Sequence, residues 1–315
     1  MLNASGPIIY HQHMRKAGGT ALRNFIKEHK RNSTKYVEVE WVPLPVGLRS
    51  VAQVPPDSLF VTSFAAPIAR IIEQYLFEGG IGQCRGNGER FSSPAYVRSC
   101  ASGAQLSDYT PFGQWLSASR SVLHGQRPDW GCHWYNHWYN KHGFACTCCD
   151  PTREHWPLPK GGYKGLAPLQ QKLGEHYLGR LYTPNYYIKM LVGLPPADVA
   201  TRAHLTAARA TLRRLFSACV ITERLSDGAY VASLLANLSS GMQISRDTMA
   251  HVSAAGLAMR SGGATLGTSS DEVGHESRER LAIEVVAAYP DAIGELRDEN
   301  ALDLELYHSV LEEGC

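Results

Sequence analysis

The sequence predicts a three-layer α/β fold, in which a central parallel sheet is flanked by helices on both faces. Strand-like and helix-like patterns alternate near both ends of the chain, which is typical of such a sheet. The 315 residues are 44% hydrophobic, enough to build one large core. We therefore expect a single domain over residues 1–315, with an irregular insertion at about 79–165 that is rich in cysteine and tryptophan.

The first predicted element is a buried strand at residues 7–13, which runs into a basic turn with two glycines. Apolar residues at helical spacing then predict a helix that begins at Thr20. Glycine lets the backbone approach an anion, and N–H groups at a helix start donate to it. The turn is therefore predicted to hold a phosphate group through Arg15, Lys16, Ala17, Gly18, Gly19, Thr20, Ala21 and Leu22.

The order of residues in this turn differs from that of a Walker A loop, in which lysine directly follows the last glycine. Here Lys16 precedes Gly18 and Gly19. A nucleotide-dependent phosphotransferase is therefore the weaker alternative.

Two further apolar runs predict strands at residues 58–64 and 218–222, each followed by a helix signal, the second near Ser226. An amphipathic helix on the sheet is predicted at residues 198–216. Its apolar positions are Val199, Leu205, Ala208, Leu212 and Leu215.

The C-terminal part of the chain predicts two helices, near 276–289 and 300–312. Glycine and serine are frequent at 251–274, which we expect to be a flexible connection.

The order Lys-x-Gly-Gly-Thr after a strand, with a histidine three residues before the lysine, resembles the 5′-phosphosulfate loop of sulfotransferases that use 3′-phosphoadenosine 5′-phosphosulfate (PAPS). Residues 185–193, 221–225 and 300–307 resemble, in the same order, three segments of the carbohydrate sulfotransferase branch. Lys189 stands where that branch has arginine. The resemblance implies a P-loop-like sulfotransferase fold that needs no metal, with PAPS as donor and a carbohydrate or other hydroxyl-bearing molecule as acceptor.

One segment departs from the family. After its second strand the family has an arginine and a serine that bind the 3′-phosphate of the donor, but this chain has Ala65 and Glu73 there. Arg70 is retained and is expected to contact the donor. Because a carboxylate repels a phosphate, the alternatives are an enzyme with a changed donor site and a non-catalytic binding protein that keeps the fold.

Sulfuryl transfer resembles phosphoryl transfer, because an acceptor oxygen attacks in line and the leaving phosphate gathers charge. By resemblance, Lys16 neutralises the bridging oxygen and the N–H groups of residues 18–21 donate to it. His13, where the family motif has a histidine, is predicted either to be the general base or to support the loop. His11, deeper on the same strand face, is predicted to be structural. Other candidate bases are Glu38, Glu40, His133 and His137.

Composition limits the partners. The net charge of +2 gives no case for nucleic acid, and no segment reaches the roughly 20 apolar residues of a membrane helix. By resemblance, the chain is expected to be the domain of a Golgi or secretory enzyme without its anchor, with a cytoplasmic location as the alternative. Sequons at Asn3, Asn32 and Asn237 are compatible with a secreted glycoprotein.

The insertion holds six of the eight cysteines, at positions 84, 100, 132, 146, 148 and 149. Disulfides are the preferred interpretation, with a metal site or free thiols as alternatives. Five of the six tryptophans lie between residues 115 and 156. Their rings are predicted either to form a wall that stacks on sugar rings or to pack the insertion.

Overall fold

A computed structural model of the chain describes residues 8–29, 34–40, 43–49, 58–76, 105–108, 111–123, 182–225 and 270–315, with the single positions 55, 227, 230 and 233. Several predictions of the sequence lie outside these residues. They concern the six insertion cysteines, the tryptophans other than Trp115, His133, His137, the three sequons, Ser226 and the 251–274 connection.

Four strands form one sheet in which every neighbouring pair is parallel, in the order β2-β1-β3-β4. The strands are β1 (Ile8–His13), β2 (Lys35–Glu40), β3 (Leu59–Phe64) and β4 (Ala218–Ile221). The predicted strands at 7–13, 58–64 and 218–222 are confirmed to within a residue at each end. Strand β2 was not predicted, because its three charged residues leave no continuous apolar run of the kind that identified the other strands, and only Val39 is buried.

The described helices follow the strands in the α/β manner. They are α1 (Gly19–His29), α2 (Leu44–Arg49), α3 (Pro67–Gln74), α4 (Phe112–Leu123), α5 (Tyr186–Val192), α6 (Arg202–Leu215), α7 (Ser270–Ala288), α8 (Pro290–Glu299) and α9 (Ala301–Glu313). Helix α1 begins one residue before the predicted Thr20. The predicted C-terminal helices are confirmed as α7 and α9, and Pro290 begins an additional helix, α8, between them.

Helices cover both faces of the sheet, as predicted. On β1, Ile8 and Tyr10 pack with α5, α6 and α9, whereas Ile9 packs with α1 on the opposite face. Helix α6 buries Leu205, Ala208 and Leu212 as expected. Val199 was expected in that buried row but is 81% exposed, because the helix begins only after the capping residue Thr201.

The region predicted as an irregular insertion contains α4. Irregular structure is therefore the wrong prediction for residues 112–123, where apolar side chains recur at helical spacing. Trp115 is buried against Tyr75 and Phe112, in a core that also contains residues of α7 and α8. For this tryptophan the structure shows packing rather than a sugar-facing wall.

A disulfide joins Cys219 on β4 to Cys315, the last residue of the sequence. The two cysteines are 96 positions apart and are not among the six in the insertion. The bond ties the end of α9 to the sheet. Among the described residues, no helix combines the length and apolar character needed to cross a membrane.

Candidate functional site

The Gly-Gly turn lies at the carboxyl end of β1, in the middle of the sheet. The central strands β1 and β3 are neighbours, with β2 on the outer side of β1 and β4 on the outer side of β3. The connections from β1 to β2 and from β3 to β4 therefore run in opposite directions. In open α/β sheets, ligands bind outside the carboxyl ends of the strands at such a reversal. The turn at residues 14–18 and the β3–α3 turn at Ala65 and Ala66 flank this position.

Both glycines are required by close contacts. Gly18 has a φ of +72°, and a Cβ there would lie 2.3 Å from Thr222 Cγ2. A Cβ on Gly19 would lie 2.0 Å from Cδ2 of the His13 ring. Sequence analysis assigned these glycines to the approach of an anion, but the protein needs them for its own packing as well.

The backbone of the turn is held from behind by α5. The Arg15 N–H donates to the Tyr186 hydroxyl at 3.0 Å, and the Ala17 N–H donates to the Met14 carbonyl at 3.3 Å. Lys16 between them takes a left-handed φ of 56° and is half-buried. The N–H groups of Arg15 and Ala17, two residues predicted to hold the phosphate, are thus bonded within the protein.

The start of α1 supplies further backbone donors at the turn. Leu22 makes a helical hydrogen bond, from its N–H to the Gly18 carbonyl at 3.1 Å, and its side chain is buried. The N–H groups at positions 19–21 precede it and belong to the first helical turn, whose donors have no partner within a helix. Negative charge is stabilised at this end of the helix dipole.

His13 is paired with glutamates of β2. Its Nδ1 lies 2.6 Å from Glu38 Oε1 and 3.8 Å from Glu40 Oε2. The ring edge with Cδ2 and Nε2 packs against Gly19 at the start of α1. In the tautomer in which Nδ1 carries the proton, Nδ1 donates a hydrogen bond to Glu38. Nε2, which faces the turn, can then accept a proton. Three of the candidate bases of the sequence therefore form one group.

His11 lies beneath this group. Its ring stacks on that of His13 with centroids 5.2 Å apart, and its Nδ1 is 2.7 Å from the Tyr36 hydroxyl. Burial lowers the pKa of His11 well below its ordinary value, and the charges of His13 and Arg23 lower it further. The side chain is therefore a neutral platform for His13, in agreement with its predicted structural role.

Arginines balance the two carboxylates. Arg15 Nη1 lies 3.3 Å from Glu40 Oε1, and Arg23 Nη1 lies 3.6 Å from Glu38 Oε1. Arg15 is buried, so much of its charge is directed to Glu40 rather than to a ligand. Lys16, the other predicted cationic ligand of the turn, is half-buried and lies within the turn itself.

Arg70, which the resemblance assigned to the donor, is inside the protein. It is 1% exposed, its guanidinium lies 4.2 Å from the centre of the Tyr186 ring, and Nη1 donates to Gln74 Oε1 at 3.1 Å. The hydroxyl of the same tyrosine holds the Arg15 backbone. The Tyr186 side chain therefore contacts both Arg70, through its ring, and the turn, through its hydroxyl.

Two segments of the resemblance, residues 185–193 and 300–307, form a reciprocal cap between α5 and α9. The Asp303 carboxylate accepts the N–H groups of Tyr187 and Ile188 at 2.8 and 3.0 Å. In return, Asn185 Oδ1 accepts the Asp303 N–H at 3.0 Å, and Asn300 Oδ1 accepts the Asn185 N–H at 2.9 Å. Burial raises the pKa of Asp303 to about 6. Local sequence patterns do not predict this role, because neither asparagine caps its own helix and the bonds run between α5 and α9.

Lys189, which stands where the resembling family has arginine, also has a structural partner. It is buried, and its Nζ donates to the Pro196 carbonyl at 2.6 Å. Burial lowers its pKa to about 8. Lys189 therefore serves the α5–α6 connection.

In the described part of the chain, no group of three or more His, Cys, Asp or Glu side chains is arranged to hold a metal ion. No family model matches the chain, and no curated protein or solved structure matches it either. The function is therefore argued from the geometry of the site.

Proposed function

We propose that this protein transfers a sulfuryl group from PAPS to a hydroxyl group, with a carbohydrate as acceptor. The observation that carries the proposal is the His13–Glu38 pair packed on Gly19, where α1 begins. It places a candidate base beside helix-start N–H groups and Lys16. A base, a lysine and N–H donors are what sulfuryl transfer needs.

In the proposed reaction, the 5′-phosphosulfate of the donor rests on the N–H groups of residues 18–21. The acceptor oxygen attacks sulfur, and a new O–S bond forms while the bond from sulfur to the bridging oxygen breaks. The electron pair of that bond stays on the leaving 5′-phosphate, whose charge Lys16 stabilises. His13 Nε2 takes the hydroxyl proton, and Glu38 stabilises the imidazolium that forms.

The compartment is also part of the proposal. Disulfides persist in oxidising compartments, so the Cys219–Cys315 bond supports the secretory pathway. A Golgi location and a carbohydrate acceptor agree with the resemblance in sequence.

A second candidate is a non-catalytic binding protein that keeps the fold but has lost the normal donor site. It is favoured by the β3–α3 turn, where the Ala65 N–H is bonded to the Tyr187 hydroxyl at 3.0 Å and Ala66 N–H to Glu223 Oε1 at 2.6 Å. The N–H groups of Ala65 and Ala66 are therefore bonded to side chains of the protein rather than to a ligand.

The test of the proposal compares His13→Ala with the exposed His308→Ala, using transfer of radiolabelled sulfate from PAPS to a panel of sugars. We expect His13→Ala to lower turnover by about two orders of magnitude with donor binding retained, because only the base is lost. His308→Ala should match the wild type. A wild type that neither binds PAPS nor transfers sulfate would favour the second candidate, and full activity of a folded His13→Ala protein would refute the mechanism.

A further inference from the structure

The amino ends of two helices flank the reversal in the sheet, and they differ in charge. At α1, glycines and Lys16 lie at the turn. At α3, a carboxylate of the protein itself lies at the corresponding position, because Glu223 Oε1 accepts the Ala66 N–H at 2.6 Å. A negative charge is stabilised at either helix end, and at α3 that charge is supplied by Glu223.

Glu223 is fixed in this position by elements on both sides. Its Oε2 accepts the Tyr307 hydroxyl of α9 at 3.0 Å. The preceding residue, Thr222, is the one that a Cβ on Gly18 would meet, so Glu223 directly follows a residue that packs on the Gly-Gly turn. The carboxylate itself is bonded at the β3–α3 turn.

Three backbone positions of the β3–α3 turn have no N–H group left for a ligand. The N–H groups of Ala65 and Ala66 donate to Tyr187 and Glu223, and Pro67 has no N–H. Sequence analysis attributed the repulsion of a second phosphate to Glu73, but the carboxylate at the turn is that of Glu223.

We infer that Glu223 determines specificity by excluding a second phosphate from the carboxyl end of β3. The nucleotide donor is then held through its 5′ group alone, and a 3′-phosphate adds no affinity. This inference rests on the proposed function, since it concerns the same nucleotide in the same site. Like charges brought together in this way cost enough to reverse a preference between ligands.

Calorimetric titration with adenosine 5′-monophosphate and adenosine 3′,5′-bisphosphate tests the inference on the wild type and on Glu223→Gln. Glutamine keeps an oxygen for the Ala66 N–H but removes the charge. The control is Glu295→Gln, an exposed carboxylate of α8 that pairs with Arg120. Thermal unfolding of each variant shows whether the fold is kept.

The wild type should bind the two nucleotides with affinities within about threefold of each other. Glu223→Gln should bind the bisphosphate about tenfold more tightly and the monophosphate within about twofold of the wild type, and the control should change neither.

The inference is overturned if the wild type binds the bisphosphate tenfold more tightly than the monophosphate. It is also overturned if Glu223→Gln changes the affinities for both nucleotides equally. A wild type that binds neither nucleotide would instead refute the proposed function, and this inference with it.

Discussion

The reciprocal cap between α5 and α9 makes stability depend on pH in a way that one substitution can isolate. Asp303 is buried and accepts two backbone N–H groups, and burial raises its pKa from 3.8 to about 6. The folded protein therefore binds a proton here more tightly than the unfolded chain does. The resulting stabilisation is complete below pH 3.8 and is lost as the pH rises through about 6.

The size of the effect follows from the pKa. A rise of about two units in the pKa is equivalent to about 3 kcal/mol in the free energy of unfolding. About 2 kcal/mol of this develops between pH 7 and pH 4.5. Asp303→Asn cannot titrate. It also removes one acceptor from a buried N–H group, at a cost of about 1–3 kcal/mol, but that cost does not depend on pH.

The measurement is the free energy of unfolding by urea at several pH values for the wild type and Asp303→Asn. On going from pH 7 to pH 4.5, we expect the wild type to gain about 2 kcal/mol relative to the variant. Asp291→Asn, at an exposed position of α8, should follow the wild type. Parallel curves for the wild type and Asp303→Asn would show that burial of this carboxyl group does not control its titration.

Two further predictions concern the turn and the disulfide. Gly19→Ala should displace the His13 ring, which lies 2.0 Å from the added Cβ, and so reduce both turnover and melting temperature. The control Gly113→Ala, with no atom within 4 Å of its Cβ, should reduce neither. Equal melting curves for the two variants would refute the close contact. Cys315→Ser removes the disulfide to Cys219, which joins residues 96 positions apart. We expect it to lower the free energy of unfolding by about 2–5 kcal/mol in urea titrations. Reduction of the wild type should reproduce that loss, and no change in either experiment would contradict the bond.

The general α/β arrangement was predictable because its central strands are apolar runs. Strand β1 is buried along its whole length, so its sequence stands out, and the Gly-Gly turn follows it directly. Strand β2 has three charged residues and no continuous apolar run, and it was missed. As a result Glu38 and Glu40 could be named as candidate bases, but not placed beside His13.

The partners of the candidate site come from distant parts of the chain, which local patterns do not reveal. Tyr186 supports the turn from 171 positions away, and Asn300 caps Asn185 across 115 positions. The surroundings of Arg70 could not be predicted from sequence, because the ring that covers it belongs to α5. The same holds for the Cys219–Cys315 bond, since spacing alone does not determine which cysteines pair.

The measurement that most directly tests the central claim is a calorimetric titration of the wild type, Lys16→Ala and Lys27→Ala with PAPS. Lys27 is exposed on α1, with its Nζ 5.7 Å from the centre of the Tyr36 ring, and serves as the matched control. We predict one site of micromolar affinity in the wild type and Lys27→Ala, and binding at least about tenfold weaker in Lys16→Ala. No binding by the wild type, or equal binding by a folded Lys16→Ala protein, would contradict the assignment of the Gly-Gly turn as the donor site.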